Sequence, residues 1–301
     1  MSANEAPLEH ALTGNEAFDF VKMLAAELSR GKVQLPSFPE VALRVQRVLA
    51  NEEVNDNDLL RAVGAEPALA MRILQMANSV ALNPMGRAVT ELRSAIARIG
   101  HNMVSAAAVS FVIQQLRSSE ELRHLKQPLQ RLWLRSVSVG SLSMVVARRF
   151  TQVNPDTALL AGVLHGVGKL YILASASKHP RLLADSKTFD QIVRDWHASI
   201  ARALLENWEI CDEVLNAVHD FEDLDREMRG PIGLGDVLTV GNMLASFKEH
   251  HASSEEADAH MNRMGVDALR VWQRLRIDRD GCEAALEEAA EEIAALRHVL
   301  G

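Results

Sequence analysis

The segment "ALLAGVLHGVGKL", residues 158–170, is an apolar run that is interrupted by one histidine, three glycines and one lysine. Leu and Ala dominate the run, and both residues favour helix over strand. His165 lies where a metal-binding helix would present a ligand, yet the next residue, Gly166, has no side chain. The segment therefore either forms an active site or retains only the outline of one.

The composition of the whole chain favours helix, as does this segment. The chain has 301 residues, of which 48% are hydrophobic, 24% charged and only 4% aromatic. This length suffices for one large domain or two ordinary ones. Leu and Ala occur throughout, whereas the β-branched and aromatic residues typical of strands are sparse. The sequence therefore predicts an all-α fold.

Composition also limits the location and the partners that we expect. No apolar stretch approaches the roughly 20 uncharged residues that a membrane span needs, and the N-terminus lacks the features of a secretion signal. We therefore expect a cytoplasmic protein with no membrane partner. Cys211 and Cys282 lack metal-type spacing and are interpreted as reduced thiols. The net charge of −8 disfavours nucleic acid as a partner, because the surface as a whole repels it.

Hydrophobic spacing and glycines divide the chain into helices. The spacing of apolar residues predicts an amphipathic helix over residues 15–30, ended by Gly31. Pro67 begins a later helix, and Gly100 ends another. The residues expected on the core face of the first helix are Phe18, Val21, Leu24, Ala25 and Leu28, and those expected to point inward from the later one are Leu69, Ile73 and Met76.

A polar segment, "RSSEELRHLKQP" at residues 117–128, is the predicted boundary between two helical units. In the tail, Leu286, Ile293, Leu296 and Leu300 share one face of a helix. Two heptads are too few to establish a coiled coil, so docking on the body is favoured and a homodimer is the alternative. The predicted units are an N-terminal amphipathic helix at 1–30, helical lobes at 31–120 and 121–250, and a C-terminal helical extension at 251–301.

Eight residues form the candidate set for chemistry, and their order resembles the HD superfamily of metal-dependent phosphohydrolases. The resemblance is most specific to the bacterial HDOD family. It covers residues 30 to 245 through the blocks "LPSFPEVALRVQRVL", "EPALAMRILQMANS", "ELRSAIARIG", "LWLRSVSV", "LLAGVLHGVGKL" and "HASIARALLENW". The eight residues are Arg135, His165, Gly166, Lys169, His197, His219, Asp220 and Asn242.

The resemblance implies a two-lobed helical fold and a depleted metal site. The superfamily's first histidine falls at Arg135, the aspartate of its His-Asp pair at Gly166, and its final aspartate at or near Asn242. Asp236, between one and two helical turns upstream, is the other aspartate near this position. Only His165 is retained among the four core positions. His197 and His219 match the extra histidines of some HD enzymes, and Lys169 matches a lysine that can meet substrate phosphate.

The substituted positions lack the groups that metal chemistry requires. A divalent cation needs imidazole and carboxylate ligands to replace its hydration shell. An arginine in a ligand position would repel the cation by roughly several kcal/mol at an effective dielectric constant of about 20. We therefore predict no bound metal and no other cofactor, and an Arg135 that pairs with Asp220 or another nearby carboxylate.

Each of these residues also has a structural interpretation. Arg135 and Lys169 could be surface cations, with Lys169 at a helix end. Gly166 could relieve crowding on a packed helix. His165, His197 and His219 could be hydrogen-bonded histidines of the core.

The resemblance implies a non-catalytic signal-transduction module, a pseudoenzyme that acts through an unidentified signalling protein or small ligand. Lys169, His197, His219 and Asp220 are the candidates for a ligand pocket. One alternative is a metal-dependent phosphohydrolase of a nucleotide or cyclic dinucleotide, which would need its remaining histidines to hold the metal. A second alternative is a nucleotide or nucleic-acid binder that reuses the pocket through Lys169 and Arg135.

Overall fold

The computed structural model describes residues 6–31, 33, 40–50, 56–79, 83, 86–227, 230–250, 270–277 and 279–300. Over these residues all regular secondary structure is helical, so the predicted all-α fold is confirmed. The helices are α1 Ala6–Ser29, α2 Glu40–Ala50, α3 Asp56–Gly64, α4 Pro67–Ala77, α5 Leu92–Ser118, α6 Lys126–Phe150, α7 Pro155–Leu164, α8 Val167–Ser175, α9 Pro180–Ala184, α10 Ser186–Asn207, α11 Asp212–Asp220, α12 Leu234–His250, α13 Arg270–Leu275 and α14 Arg279–Leu300. Short 3₁₀ turns lie at Glu120–Leu125 and Ala176–Lys178.

Local sequence signals account for several helix ends. Asn154 caps α7, because its side-chain oxygen accepts from the backbone N–H groups of Asp156 and Thr157, and Pro155 occupies the first helical position. Gly31 follows α1 with φ of 60°. Gly100 has φ of 77° and divides α5 into two helical segments. Both glycines occupy the left-handed region that other residues avoid, as their predicted roles at helix ends require.

Helix α6 is the centre of the fold, because α7, α12 and α14 all pack against it. Small residues allow this approach. A Cβ atom on Gly162 of α7 would overlap the backbone of Gly140, and one on Gly241 of α12 would overlap Ser143. The backbones of α7 and α12 therefore lie directly on α6, which brings residues of all three helices to one place.

The buried hydrophobic side chains of the described residues form one cluster that extends from Phe20 of α1 to Ile293 of α14. The expectation that no apolar stretch approaches the length of a membrane span is wrong, because Leu92–Leu116 and Pro155–Lys178 are long and apolar enough by composition alone. Most of each stretch is buried inside the protein. Their apolar character is therefore explained by their place in the core.

The first helix keeps most of its predicted core face, since Val21 and Leu28 pack against the core, but it differs from the prediction at Phe18. Phe18, expected to face the core, is 68% exposed, whereas Phe20 is fully buried. The Phe20 ring meets the His179 ring edge-on, with their centroids 5.2 Å apart. Leu24 is buried as predicted, and so are the three inward residues of α4: Leu69, Ile73 and Met76.

The tail helix α14 docks on the body, mainly along α6, as the sequence favoured. Glu288 lies between Arg148 and Arg149 at the end of α6 and pairs with both. The side chains of Leu296 and Leu300 lie outside the described residues, as do residues 251–269. The buried residues on the docked face of α14 are Cys282, Ala285, Ala289 and Ile293.

The predicted boundary after residue 120 falls in the turn Glu120–Leu125, between α5 and α6. Helix α5 packs against α2, α3 and α4 on one side and against α6 and α7 on the other. The division into two lobes stays a prediction, because one continuous cluster of buried side chains runs across the turn.

Candidate functional site

A cavity of about 700 Å³ lies beside α6. Its walls come from the first half of α6, the junction of α7 and α8, the segment after α11, and α12. The described residues that line it are Arg131, Leu132, Leu134, Arg135, His165, Gly166, Lys169, Glu222, Asn242 and Ser246. The four positions matched to the superfamily's metal ligands, at residues 135, 165, 166 and 242, therefore lie around one space.

Arg135 fastens α6 to α12 across this cavity. Its Nη2 atom donates to Asn242 Oδ1 at 2.7 Å, to the Asn242 carbonyl oxygen at 3.1 Å and to Ser246 Oγ at 2.7 Å. Asn242 and Ser246 are one helical turn apart, so a single guanidinium nitrogen reaches both. The Asp220 carboxylate accepts from its neighbour His219 instead, at 2.6 Å from Nδ1, and a pairing of Arg135 with another nearby carboxylate stays a prediction.

His165 is a neutral, buried histidine in the wall of the cavity. The ring is 3% exposed, and its Nδ1 donates to the Gly162 carbonyl oxygen at 2.6 Å. This bond assigns the proton to Nδ1 and leaves Nε2 as an acceptor. Burial lowers the pKa of His165 to about 3; the Gly162 bond opposes this shift, whereas the charges of Lys169 and Arg135 reinforce it.

Gly166 has an ordinary backbone conformation, with φ of −89° and ψ of 1°, so its backbone does not require glycine. Space is the constraint instead. A Cβ atom at this position would lie 3.0 Å from Ser136 Oγ, tighter than an ordinary van der Waals contact. The missing side chain therefore leaves room for the Ser136 hydroxyl, in line with the structural interpretation of this glycine.

Glu222 is a site residue that the sequence analysis missed. Its Oε1 accepts from Lys169 Nζ at 2.7 Å, and its Oε2 accepts from His197 Nε2 at 2.9 Å. Burial raises the pKa of Glu222, but the His197 bond and the Lys169 charge outweigh burial and lower the pKa to about 2. The ionised carboxylate thus holds α8 and α10 together through the segment after α11.

The remaining sequence-predicted pocket residues are placed differently. Of the four candidates, only Lys169 lines the cavity. His197 is buried behind Glu222, whereas His219 and Asp220 pair with each other at the surface. Asp236, the upstream match for the final aspartate, is bound by Arg226 at 3.1 Å and Arg274 at 3.3 Å instead of facing the cavity.

Comparison with known families identifies the family of this chain. The sequence model of the HDOD domain matches residues 35–223, more than half of the chain. The chain belongs to the HDOD family. The cavity is lined by the four positions that the sequence resemblance matched to the HD metal ligands, Arg135, His165, Gly166 and Asn242.

Solved structures share the fold of this HDOD protein. A proposed metal-dependent phosphohydrolase from Shewanella amazonensis is 23% identical, with a TM-score of 0.65, covering 93% of this chain and 99% of the other. An HDOD domain protein of unknown function from Geobacter sulfurreducens is 20% identical, with a TM-score of 0.63, covering 93% and 97%. A proposed signal transduction protein from Marinobacter aquaeolei is 19% identical, with a TM-score of 0.59, covering 97% and 66%.

A sequence relative is an uncharacterised protein of Treponema pallidum, 22% identical over 292 residues. The match covers 90% of the HDOD chain but 53% of the relative. The chain therefore spans about half the length of this relative.

The donor atoms of this HDOD chain do not fit the divalent metal of the HD superfamily. His165 Nε2 is available, but Asn242 Oδ1 already accepts from Arg135. Gly166 offers no donor, and the Glu222 oxygens are bound by Lys169 and His197. Across the described part of the chain, no three His, Cys, Asp or Glu side chains group as metal ligands. Arg135 puts a permanent positive charge beside the one remaining ligand.

Proposed function

We propose that this HDOD chain is a non-catalytic regulatory module that acts by binding a small ligand or a signalling protein. The observation that carries the proposal is the contact of Arg135 with Asn242 and Ser246. Two positions that would hold a metal in an HD enzyme bind each other here. The charge and the hydrogen bonds that would stabilise the site come from the protein itself.

Electrostatics favours this reading over catalysis. HD-type hydrolysis depends on a metal that activates water and contacts phosphate oxygens. A dication beside Arg135 would be repelled by roughly several kcal/mol at an effective dielectric constant of about 20, and His165 alone could not offset that cost. A neutral His165 retains one function at neutral pH, which is to accept a hydrogen bond.

A binding role follows from the way the cavity is built. Its walls belong to α6, α8, α12 and the segment after α11, which meet only in the folded chain. An occupant that contacts several of these elements stabilises one arrangement of them over others. A non-catalytic protein can transmit a signal through such a change in the arrangement of its helices.

Metal content and turnover test the proposal directly. The purified full chain is incubated with Mn²⁺ or Zn²⁺, desalted and analysed for metal, then assayed with bis(p-nitrophenyl) phosphate. We expect no stoichiometric metal, and turnover no greater than that of the His165→Ala variant. Stoichiometric metal together with turnover that His165→Ala abolishes would overturn the proposal and favour the phosphohydrolase alternative.

A gain-of-function variant provides the matched test. The substitutions R135H, G166D and N242D would restore the superfamily's ligand set, and S136A would remove the hydroxyl that crowds position 166. We expect this fourfold variant to bind Zn²⁺ or Mn²⁺. The threefold variant that keeps Arg135 serves as its control and should not bind either ion. A folded fourfold variant without metal affinity would show that these positions are not equivalent to the ligands.

A further inference from the structure

The described lining of the cavity carries an excess of positive charge, in a chain whose formal net charge is −8. Among the described residues that line it are three cationic side chains, those of Arg131, Arg135 and Lys169, and one carboxylate, that of Glu222. His165 is neutral, so these groups carry a net charge of +2. A concave site with this excess attracts anions, because its low-dielectric walls concentrate the field.

The cations differ in how far they are already engaged. Arg135 is held by Asn242 and Ser246, and Lys169 shares Glu222 with His197. Arg131 lies one turn before Arg135 on the same face of α6, is exposed, and has no partner among the described residues. Arg131 can therefore receive an incoming anion directly. Lys169 can also do so, because its ammonium group has three donors and the contact with Glu222 uses one of them. Arg135 adds a fixed charge.

The rest of the cavity suits more than an inorganic ion. Leu132 and Leu134 provide apolar wall, and the volume of about 700 Å³ lies within the usual range for small-molecule sites. The buried His165 Nε2 is an acceptor without a described partner. The cavity therefore suits a ligand that has an anionic group and an organic body. The positive charge would bind the anionic group, and the apolar wall and the buried acceptor would contact the organic body.

We propose, building on the non-catalytic role above, that the cavity binds a small organic anion, with a phosphate or carboxylate group at Arg131 and Lys169 and an apolar or aromatic body against Leu132 and Leu134. Binding of the anion competes with Glu222 for Lys169. The ligand thereby weakens the Lys169–Glu222 contact, which joins α8 to the segment after α11. Because Glu222 also accepts from His197, the change reaches α10.

A set of naphthalene probes tests the charge requirement. The full chain is titrated with 1-naphthyl phosphate, 1-naphthoate and neutral 1-naphthol by calorimetry, at low and high NaCl. We expect at least one anion to bind at least about tenfold more tightly than 1-naphthol, with an affinity that falls as salt rises. The tighter anion identifies the preferred acidic group. Equal affinity for 1-naphthol, or no anion binding at millimolar concentration, would overturn the proposal.

Variants locate the binding. Arg131→Gln and Lys169→Gln should each weaken anion binding by about tenfold or more, because each removes a charge-assisted hydrogen bond. Arg181→Gln on α9 is the control, since Arg181 is exposed and does not line the cavity. Arg131 is also exposed, so its substitution should leave the fold intact. An affinity unchanged in Arg131→Gln and Lys169→Gln would place the anion elsewhere and contradict the proposal.

The same probe separates failure of this proposal from failure of the non-catalytic role. Hydrolysis of 1-naphthyl phosphate would release fluorescent 1-naphthol. Saturable binding without release supports both proposals. Release that His165→Ala abolishes overturns the non-catalytic role, and with it this inference. Absence of both binding and release overturns the anion proposal alone.

Discussion

The guanidinium of Arg135 and the side-chain oxygen of Asn242 lie 2.7 Å apart, although 107 residues separate them in the sequence. The contact joins the first half of α6 to the middle of α12. Ser246, one turn further along α12, accepts from the same nitrogen. This group of three polar side chains closes one side of the cavity.

Arg135→Ala should destabilise the protein by about 1–3 kcal/mol, because it leaves Asn242 and Ser246 without their donor in a partly buried place. Chemical denaturation of the full chain measures the loss. Arg131→Ala is the control: this exposed arginine lies one turn away on the same helix and should change stability by at most about 0.5 kcal/mol. Equal effects of the two substitutions would contradict the structural role of Arg135.

Gly168→Ala should destabilise the fold by about 3 kcal/mol or more. A Cβ atom on Gly168 would overlap the carbonyl oxygen of His197, which belongs to the backbone of α10 and cannot turn aside. Gly233→Ala is the matched control, because its Cβ would meet nothing within 4 Å and its φ is not positive. Thermal unfolding of both variants tests the close crossing of α8 and α10. A Gly168→Ala variant as stable as Gly233→Ala would exclude it.

As the pH falls, protonation of His165 should begin to destabilise the protein at a higher pH than protonation of Glu222 does. The pKa of His165 is about 3 in the folded protein against 6.5 as an ordinary value, so its contribution is fully present above pH 6.5 and is lost as the pH falls towards 3. The pKa of Glu222 is lowered from 4.5 to about 2, so its contribution is lost only below about pH 4.5. Of these two groups, His165 alone acts between pH 6.5 and 4.5.

Within that window His165 should contribute a slope of about 1.4 kcal/mol per pH unit to the free energy of unfolding. The measurement is urea denaturation at several pH values, with His165→Gln as the comparison. Glutamine does not titrate, so the variant should be less sensitive to pH by this slope. Identical pH profiles would show that the imidazole is not held neutral by its burial.

Ile293→Glu should release the tail from the body. Ile293 is buried on the docked face of α14, and an unpaired charge there costs about 3 kcal/mol or more. Limited proteolysis should then cleave within residues 270–300, while the remaining helices keep their thermal transition. The neighbouring Ala294 is exposed, so Ala294→Glu should leave the tail protected. Equal protection of the two variants would contradict the docked position of α14.

The sequence predicted those parts of the fold that local chemistry determines. Gly31 and Gly100 mark helix ends because their backbones adopt positive φ, which is a property of the residue itself. The exposure of Phe18 in α1 is different in kind. Helical spacing allows either Phe18 or Phe20 to face inward, and the edge-on contact of Phe20 with His179 selects one face only once α1 packs on its neighbours.

The candidate site shows the same division. The resemblance to the family predicted that Arg135, His165, Gly166 and Asn242 lie close together. The four residues line one cavity, and their proximity follows from the order of the helices. The contacts of Arg135 with Asn242 and Ser246 could not be predicted from the sequence, since they depend on how α12 packs against α6. Glu222 offered one weak signal, a carboxylate three residues after His219, but its contacts with Lys169 and His197 exist only in the folded chain.

The 3.0 Å between Ser136 Oγ and the position of a Cβ atom at Gly166 also bears on how this chain can evolve. Gly166→Asp alone would crowd Ser136. It would also add a carboxylate to a cavity where that carboxylate could pair with Arg135. Replacement of Arg135 by a residue without a donor atom would leave His165 and an amide, too few donors for a dication. A metal site at this place therefore requires several substitutions together, which remove the Arg135 charge, add carboxylates and relieve the crowding at Ser136.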